Sequence, residues 1–296
     1  MHNNIKRYQA LLYFVVMLCL PIDLIAQEAT QRYRIGVCDW MMLKRQKLGE
    51  FALAREVGAD GVEMDMGPLG QRELFDNQLR DSLQRETFLA ASRENSIVVP
   101  SVAMSGFFAQ NLLKRDNYMA LAADCFETMK HFSSHVAFLP LGGSGTEWIT
   151  PGAEHDKMVV RLREIGNLAY QNGVVVGIRT GQEARYDKRL LKEIGSKGIR
   201  VYFNLQDAVD NHRDPCKELQ ILGRKRICQI HASLTDSVTL DVDPRIDLPL
   251  IRRTLDKMRW SGWLVVERSR DANRVRDVKY NFSTNVGYLR KVFGRN

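Results

Sequence analysis

Residues 33–43 read YRIGVCDWMML. The alternating Ile35 and Val37 with Gly36 and Cys38 make a short apolar strand, and it ends on Asp39 and Trp40. An open, doubly wound sheet would place a glycine-rich phosphate-binding turn after such a first strand. The chain instead continues into Trp-Met-Met-Leu. A strand that ends on polar and aromatic groups, with no phosphate turn behind it, predicts a closed barrel if the unit repeats often enough.

It does repeat. Strand-like stretches occur at 33–40, 61–67, 97–106, 135–143, 173–180, 199–208, 227–234 and 262–270. Each is short and apolar on both faces, as expected of parallel strands covered on both sides. Helical periodicity follows each, at 43–59, 76–95, 118–132, 154–171, 184–195, 215–222, 247–259 and 275–293. In the first of these, Leu48, Phe51, Leu53, Ala54 and Val57 share a helical face. Strict alternation implies parallel pairing through right-handed crossovers. Eight units predict an α/β fold, a single (β/α)8 TIM barrel, which takes ~250 residues.

The chain has 296 residues, so the barrel leaves room for a leader. Lys6 and Arg7 precede the apolar run 10–20, ALLYFVVMLCL, and Ala26 offers a small residue for cleavage. Residues 1–26 therefore read as a secretory signal peptide and 27–296 as the barrel. The run is shorter than the ~20 apolar residues of a membrane span, so no stable membrane insertion is expected after cleavage. The expected location is the bacterial periplasm. Cys38, Cys125, Cys216 and Cys228 remain, without a Cys-x-x-Cys pair, which argues against a zinc ribbon; export would permit a disulfide whose pairing the sequence does not choose, and four buried free thiols are the simpler expectation. The formal charge is +8, but no basic tail marks a nucleic-acid binder.

In a barrel of this kind the chemistry sits at the carboxyl ends of the strands. Those ends offer Asp39 and Trp40, Glu63 and Asp65, Ser101 and Ser105, Arg179, Asn204 and Asp207, His231 and Ser233, and Glu267 and Arg268. Imidazole, carboxylate and amide oxygen converging on one mouth suit a divalent ion such as Mn, Mg, Zn or Co. The glycines of LGGSGTEW (141–148) match no nucleotide fingerprint, so no nucleotide cofactor is expected.

At these residues the chain resembles the sugar phosphate isomerase/epimerase group, within the xylose-isomerase-like barrels that also include endonuclease IV. The stretches IGVCDW, GADGVEMDMG, FLPLGG, YFNLQDA, QIHASLTD and VVERSRD carry the likeness, in order, along the whole mature chain. The resemblance implies a divalent metal held by a Glu after strand five, an Asp or Asn after strand six, a His after strand seven and a Glu after strand eight. Carried over, these are Asn204, His231 and Glu267. It also implies proton transfer beside the carbonyl of a keto-sugar, with the two glutamates as bases and the metal polarising the carbonyl.

Strand five breaks the pattern. GVVVGIRT (173–180) puts Arg179 where the family has Glu. A guanidinium there removes a ligand and a base. A dication ~4 Å from it would be repelled by roughly 8 kcal/mol at an effective dielectric of ~20. Three readings follow: Arg179 swings away and a three-ligand metal site survives; Arg179 takes the metal's place, pairs with Glu267 and holds an oxyanion, as in a metal-free lyase or hydratase; or catalysis is lost and the barrel binds a sugar or a partner. Where catalysis is kept, Glu267, His231 and Arg179 are the candidate catalytic groups. Trp40, Glu63, Phe107, Arg268 and Arg270 are the candidate substrate-binding ones. The aromatics could stack on a sugar ring, and the arginines, with Arg274 and Arg276, could meet an anionic group or pair with Asp271 and Asp277. The expected ligand is a small carbohydrate, neutral or anionic, and self-association stays open. Only His231 lies where the several zinc ions of an endonuclease would need a histidine cluster, so DNA repair is not expected.

Overall fold

The computed structural model describes residues 32–294. Residues 1–26, expected to be a signal peptide, lie outside them. Eight parallel strands close on themselves in chain order, β1 to β8, with β8 returning to β1. They are β1 (Tyr33–Cys38), β2 (Gly61–Asp65), β3 (Ser101–Ala103), β4 (Val136–Pro140), β5 (Val175–Arg179), β6 (Ile199–Asn204), β7 (Ile227–His231) and β8 (Gly262–Val266). The expectation of a (β/α)8 barrel holds.

The helices are α1 (Asp39–Met42), α2 (Glu50–Glu56), α3 (Ser82–Asn95), α4 (Tyr118–His131), α5 (Ala153–Gln171), α6 (Ala184–Ile194), α7 (Leu205–Asp210), α8 (Pro215–Leu222), α9 (Leu248–Lys257) and α10 (Val278–Phe293). Short polar side chains start several of them. Asp81, Asp214, Asp247 and Asp277 each accept from a backbone N–H of the first turn, satisfying donors that the helix itself leaves unpaired. Gly195 ends α6 at φ 68°, a conformation that costs glycine no side-chain clash.

The first crossover differs from expectation. Periodicity predicts one helix over 43–59, but the chain forms α1, an irregular link and then α2. Lys44 and Gln46 adopt positive φ in that link. The cause is the polar network that Gln46 builds. Its backbone N–H donates to Asp39 Oδ2 at 2.9 Å, and its side-chain amide donates to Asp65 O at 2.8 Å and Asn77 Oδ1 at 2.9 Å. These bonds outweigh a continuous helix whose amphipathic face was already legible.

The main core lies between the barrel and its helices. A second, smaller cluster of Ala103, Phe138 and Tyr202, with Trp40, Val136 and Cys228 against it, is separate. Gly177 makes room for Tyr202: a Cβ there would lie 2.6 Å from Cys228 Sγ and 3.0 Å from Tyr202 Cβ. Among the described residues Cys38, Cys125, Cys216 and Cys228 are free thiols. Among the described residues no helix is long and apolar enough to cross a membrane.

Candidate active site

β2, β6 and β7 deliver their polar residues in pairs two apart. Strand side chains alternate between faces, so Tyr202 and Asn204 share one face of β6, and Gln229 and His231 share one face of β7. Asn204 is in register with His231. Glu63 of β2 completes the group. It is fully buried, as are His231 and Ser101.

The hydrogen bonds around Glu63 fix the direction of each proton. The Gln229 amide Nε2 donates to Ser101 Oγ and to Tyr202 Oη, both at 2.8 Å. The two hydroxyls are left to donate to Glu63 Oε2, at 2.6 and 2.7 Å. Burial, and then the Glu63 charge, push the Tyr202 phenol well above its ordinary range, so it remains a donor. The other carboxylate oxygen, Oε1, faces His231 Nε2 at 2.8 Å. A carboxylate this deep is stable only with such a set of donors. It assigns the proton of a neutral imidazole to Nε2 and leaves the Nδ1 lone pair facing away from Glu63.

Nδ1 meets two groups. Asn204 Nδ2 stands 3.5 Å away. The Asn204 oxygen is engaged elsewhere, accepting from Gln206 N at 2.8 Å as the cap of α7, so its amide presents a donor to the lone pair. Glu267 Oε2 lies 3.6 Å from Nδ1. This oxygen is buried and accepts no hydrogen bond. Ser233 Oγ holds the turn beneath it by accepting from the backbone N–H groups of Glu267 and Arg268, at 3.2 and 3.1 Å.

Arg179 closes the group. Its Nη1 is 3.5 Å from Glu267 Oε2. Its principal partner is Asp207, which takes two parallel bonds from Nε and Nη2, at 2.8 and 2.7 Å. Burial draws its pKa down, but the bonds to Asp207 and the charge of Glu267 outweigh this and hold it above the ordinary value. Arg179 is therefore a permanent cation turned inward, with Phe108 beneath its guanidinium at 5.5 Å.

The residues present do not fit a divalent metal. The Asn204 oxygen points to α7, and the open oxygen of Glu267 faces a guanidinium. Among the described residues no group of three or more His, Cys, Asp or Glu side chains is arranged to hold an ion. Asn204, His231 and Glu267 do converge, but as a hydrogen-bonded group with a fixed cation beside it.

The remaining sequence candidates fall in different places. Trp40 lies over the mouth, its ring stacked on Phe138 at 6.3 Å and edge-on to His231 at 6.1 Å. Phe107 is fully buried against Phe75. Its neighbour Phe108 is the aromatic that reaches the site, 5.8 Å from Phe138. Arg270 makes three bonds to Asp236, at 2.5–3.1 Å, and Arg268 lies 3.6 Å from the same carboxylate. Three arginines of the cluster after β8 are thus paired within the chain, Arg268 and Arg270 with Asp236 and Arg274 with Asp277. Tyr202 and Gln229 are not apparent from strand ends. The available signal is a polar residue two positions before an end residue, on the same face.

A small cavity lies between the end of β5 and the end of β6. The cavity beside Arg179, Asn204 and Asp207 has a volume of about 20 Å³, room for a single water.

A family model described as xylose isomerase-like TIM barrel matches residues 51–291. Many solved structures share the fold. D-psicose 3-epimerase with D-tagatose from Clostridium cellulolyticum H10 superposes with a TM-score of 0.70 at 13% identity, covering 88% of this chain and 100% of that one. An E. coli 3-keto-D-glucoside 4-epimerase gives 0.69 at 16% identity, covering 88% and 99%. A probable 3-DHS dehydratase from Bacillus anthracis gives 0.63 at 12% identity, covering 86% and 98%. No curated protein matches the sequence.

Proposed function

From its membership of the xylose isomerase-like TIM barrel family, to which this chain belongs, we infer a sugar isomerase/epimerase-like protein that moves a proton beside the carbonyl of a keto-sugar or derivative, with Arg179 serving where relatives of this fold would use a metal. The observation that carries the reading is the pairing of two acceptors, His231 Nδ1, met only by a long 3.5 Å contact from Asn204, and the unpartnered Glu267 Oε2, with an inward guanidinium 3.5 Å from the second.

The roles follow from the bonds. Glu63 fixes the imidazole and stabilises the imidazolium that forms when Nδ1 takes a proton, as the buried carboxylate of a catalytic triad does. The Arg179 guanidinium donates to the oxygen that gains charge as the proton leaves. The second bond to Asp207 keeps the guanidinium in place between turnovers. The imidazolium then returns the proton from Nδ1, and Glu267 Oε2 accepts a hydrogen bond from a substrate hydroxyl.

His231 Nδ1 and Glu267 Oε2 are only 3.6 Å apart. Both therefore approach a substrate from one side. A one-sided arrangement suits isomerisation through an enediol, or elimination of water, better than inversion of a stereocentre, which needs bases on opposite faces. The dehydratase among the structural neighbours supports the elimination branch. Export to the periplasm, from the reading of residues 1–26, is proposed alongside.

One observation favours a second reading, a barrel that binds a sugar without turning it over. His231 and Glu63 are fully buried, and the cavity at Arg179 is water-sized. Substrate entry requires Phe108 and Trp40 to move off Phe138.

Incubation with a panel of keto-sugars in deuterated buffer, followed by NMR, separates the two. The first reading expects deuterium at the carbon beside the carbonyl, unaffected by chelator and abolished by His231→Gln. Saturable binding with no exchange in the wild type overturns it in favour of the binder.

A further inference from the structure

The opposite face of the barrel carries a second feature that the chemistry above does not use. A cleft of about 770 Å³ opens where β5, β6 and β7 begin. Six cations line it: Lys188 and Lys192 of α6, Lys197 of the following turn, Arg200 at the start of β6, and Lys225 and Arg226 before β7. No aspartate or glutamate is among its lining residues. Elsewhere the cations of this chain are commonly paired: Arg80 with Asp124, Arg245 with Asp243, Arg270 with Asp236, Arg290 with Asp60. None of the six is within ion-pair distance of a carboxylate among the described residues.

Helix ends do not account for so much charge. α5 and α6 both finish on this face, and each carboxyl end carries roughly half a negative charge. Two such ends amount to about one charge against six cations. A concave site lined by one sign of charge focuses the field and concentrates counter-ions. The floor is apolar, formed by Val175, Leu191 and Ile199, and Tyr170 stands at the edge. The volume lies within the ~300–1,000 Å³ range of small-molecule sites.

We propose that this cleft is a binding site for a multiply anionic small molecule, one carrying two or more phosphate or sulfate groups on a compact skeleton. The cations come from four separate segments, so one anionic group cannot neutralise them together, whereas several groups on one skeleton can. The apolar floor takes the face of that skeleton. The site lies at the amino-terminal ends of the strands, so its ligand does not enter the catalytic mouth.

Isothermal titration of the full mature chain at low and at 0.5 M salt tests this. The probes are inorganic pyrophosphate and sucrose octasulfate, with sucrose as the neutral control. Both polyanions, or either alone, should bind at low salt, weaken at least tenfold at high salt, and weaken at least tenfold in Lys188→Gln/Arg200→Gln/Lys225→Gln. Tighter binding of pyrophosphate assigns a phosphorylated ligand, and tighter binding of the octasulfate a sulfated sugar. A variant of equal net charge, Arg93→Gln/Lys157→Gln/Lys291→Gln, should bind as the wild type does. All six substituted positions are exposed, so both variants should keep the wild-type melting temperature. No binding of either polyanion, or equal loss in the two variants, overturns the proposal, since the second result would mark a general charge effect.

Discussion

Replacing Arg179 by Gln and, separately, by Glu probes whether the guanidinium stands in a metal's place. Arg179 makes two bonds to Asp207 and faces Glu267 at 3.5 Å. Its side chain is 14% exposed and that of Asp207 20%, so solvent screens the pair only in part. Breaking a buried pair by removing one partner costs about 3–5 kcal/mol, and the residual exposure argues for the lower end, about 3 kcal/mol. For a domain of this size each 1 kcal/mol moves Tm by roughly 2–4 °C. Arg179→Gln should therefore melt about 6–12 °C below the wild type, with or without metal. Arg179→Glu should melt at least as low in chelator, because it sets a third carboxylate beside Asp207 and Glu267. It should recover with Mn or Zn: at a hundred times Kd, a ligand of the folded state adds about 2.7 kcal/mol, or roughly 5–11 °C. The wild type should not respond. Circular-dichroism melts at pH 7 in EDTA and in millimolar metal read all of this. A metal-induced rise in the wild type equal to that of Arg179→Glu would refute the reasoning, and so would a folded Arg179→Glu that ignores metal.

Tyr202→Phe removes one of the donors to Glu63 Oε2 and should cost about 1–3 kcal/mol, read by urea unfolding; a cost near zero would mean that Ser101 and His231 satisfy Glu63 alone. The buried acids of the first crossover should make the protein sensitive to base. Burial raises Asp39 and Glu50 well above the usual carboxylate range and Asp65 to about 7, although Arg45 lies 2.9 Å from Asp65. The folded state thus holds protons that the unfolded chain gives up near pH 4. Their contribution is complete below that pH and is lost as pH rises through the folded values, by up to ~1.4 kcal/mol per pH unit per group. Glu50→Gln should be near neutral at pH 5 and stabilising at pH 8; equal effects at both pH values would show that Glu50 is ionised throughout. Gly177→Ala should displace Tyr202, since its Cβ would press on Cys228 and Tyr202; an unchanged melt and unchanged deuterium exchange would show that the barrel interior can give way.

The sequence determined the architecture by itself. Eight short apolar strands alternating with amphipathic segments admit few closed arrangements, and the absence of a phosphate turn after Cys38 favours the barrel. It also placed Glu63, Arg179, Asn204, His231 and Glu267 together, because strand ends of a parallel barrel share one face. What it left undecided were the side-chain directions. Whether Arg179 swings out or turns in depends on Asp207, a partner 28 positions away along the chain. Whether Asn204 offers its oxygen depends on the cap it makes for α7. The proton on His231 depends on Glu63, whose own donors, Tyr202 and Ser101, come from two other strands. The break in the first helix rests likewise on one glutamine reaching Asp65 and Asn77. Local pattern sets where the backbone goes, because burial of apolar faces is a property of periodicity. Bond partners between distant strands exist only once the barrel has closed, and they decide what its polar groups do.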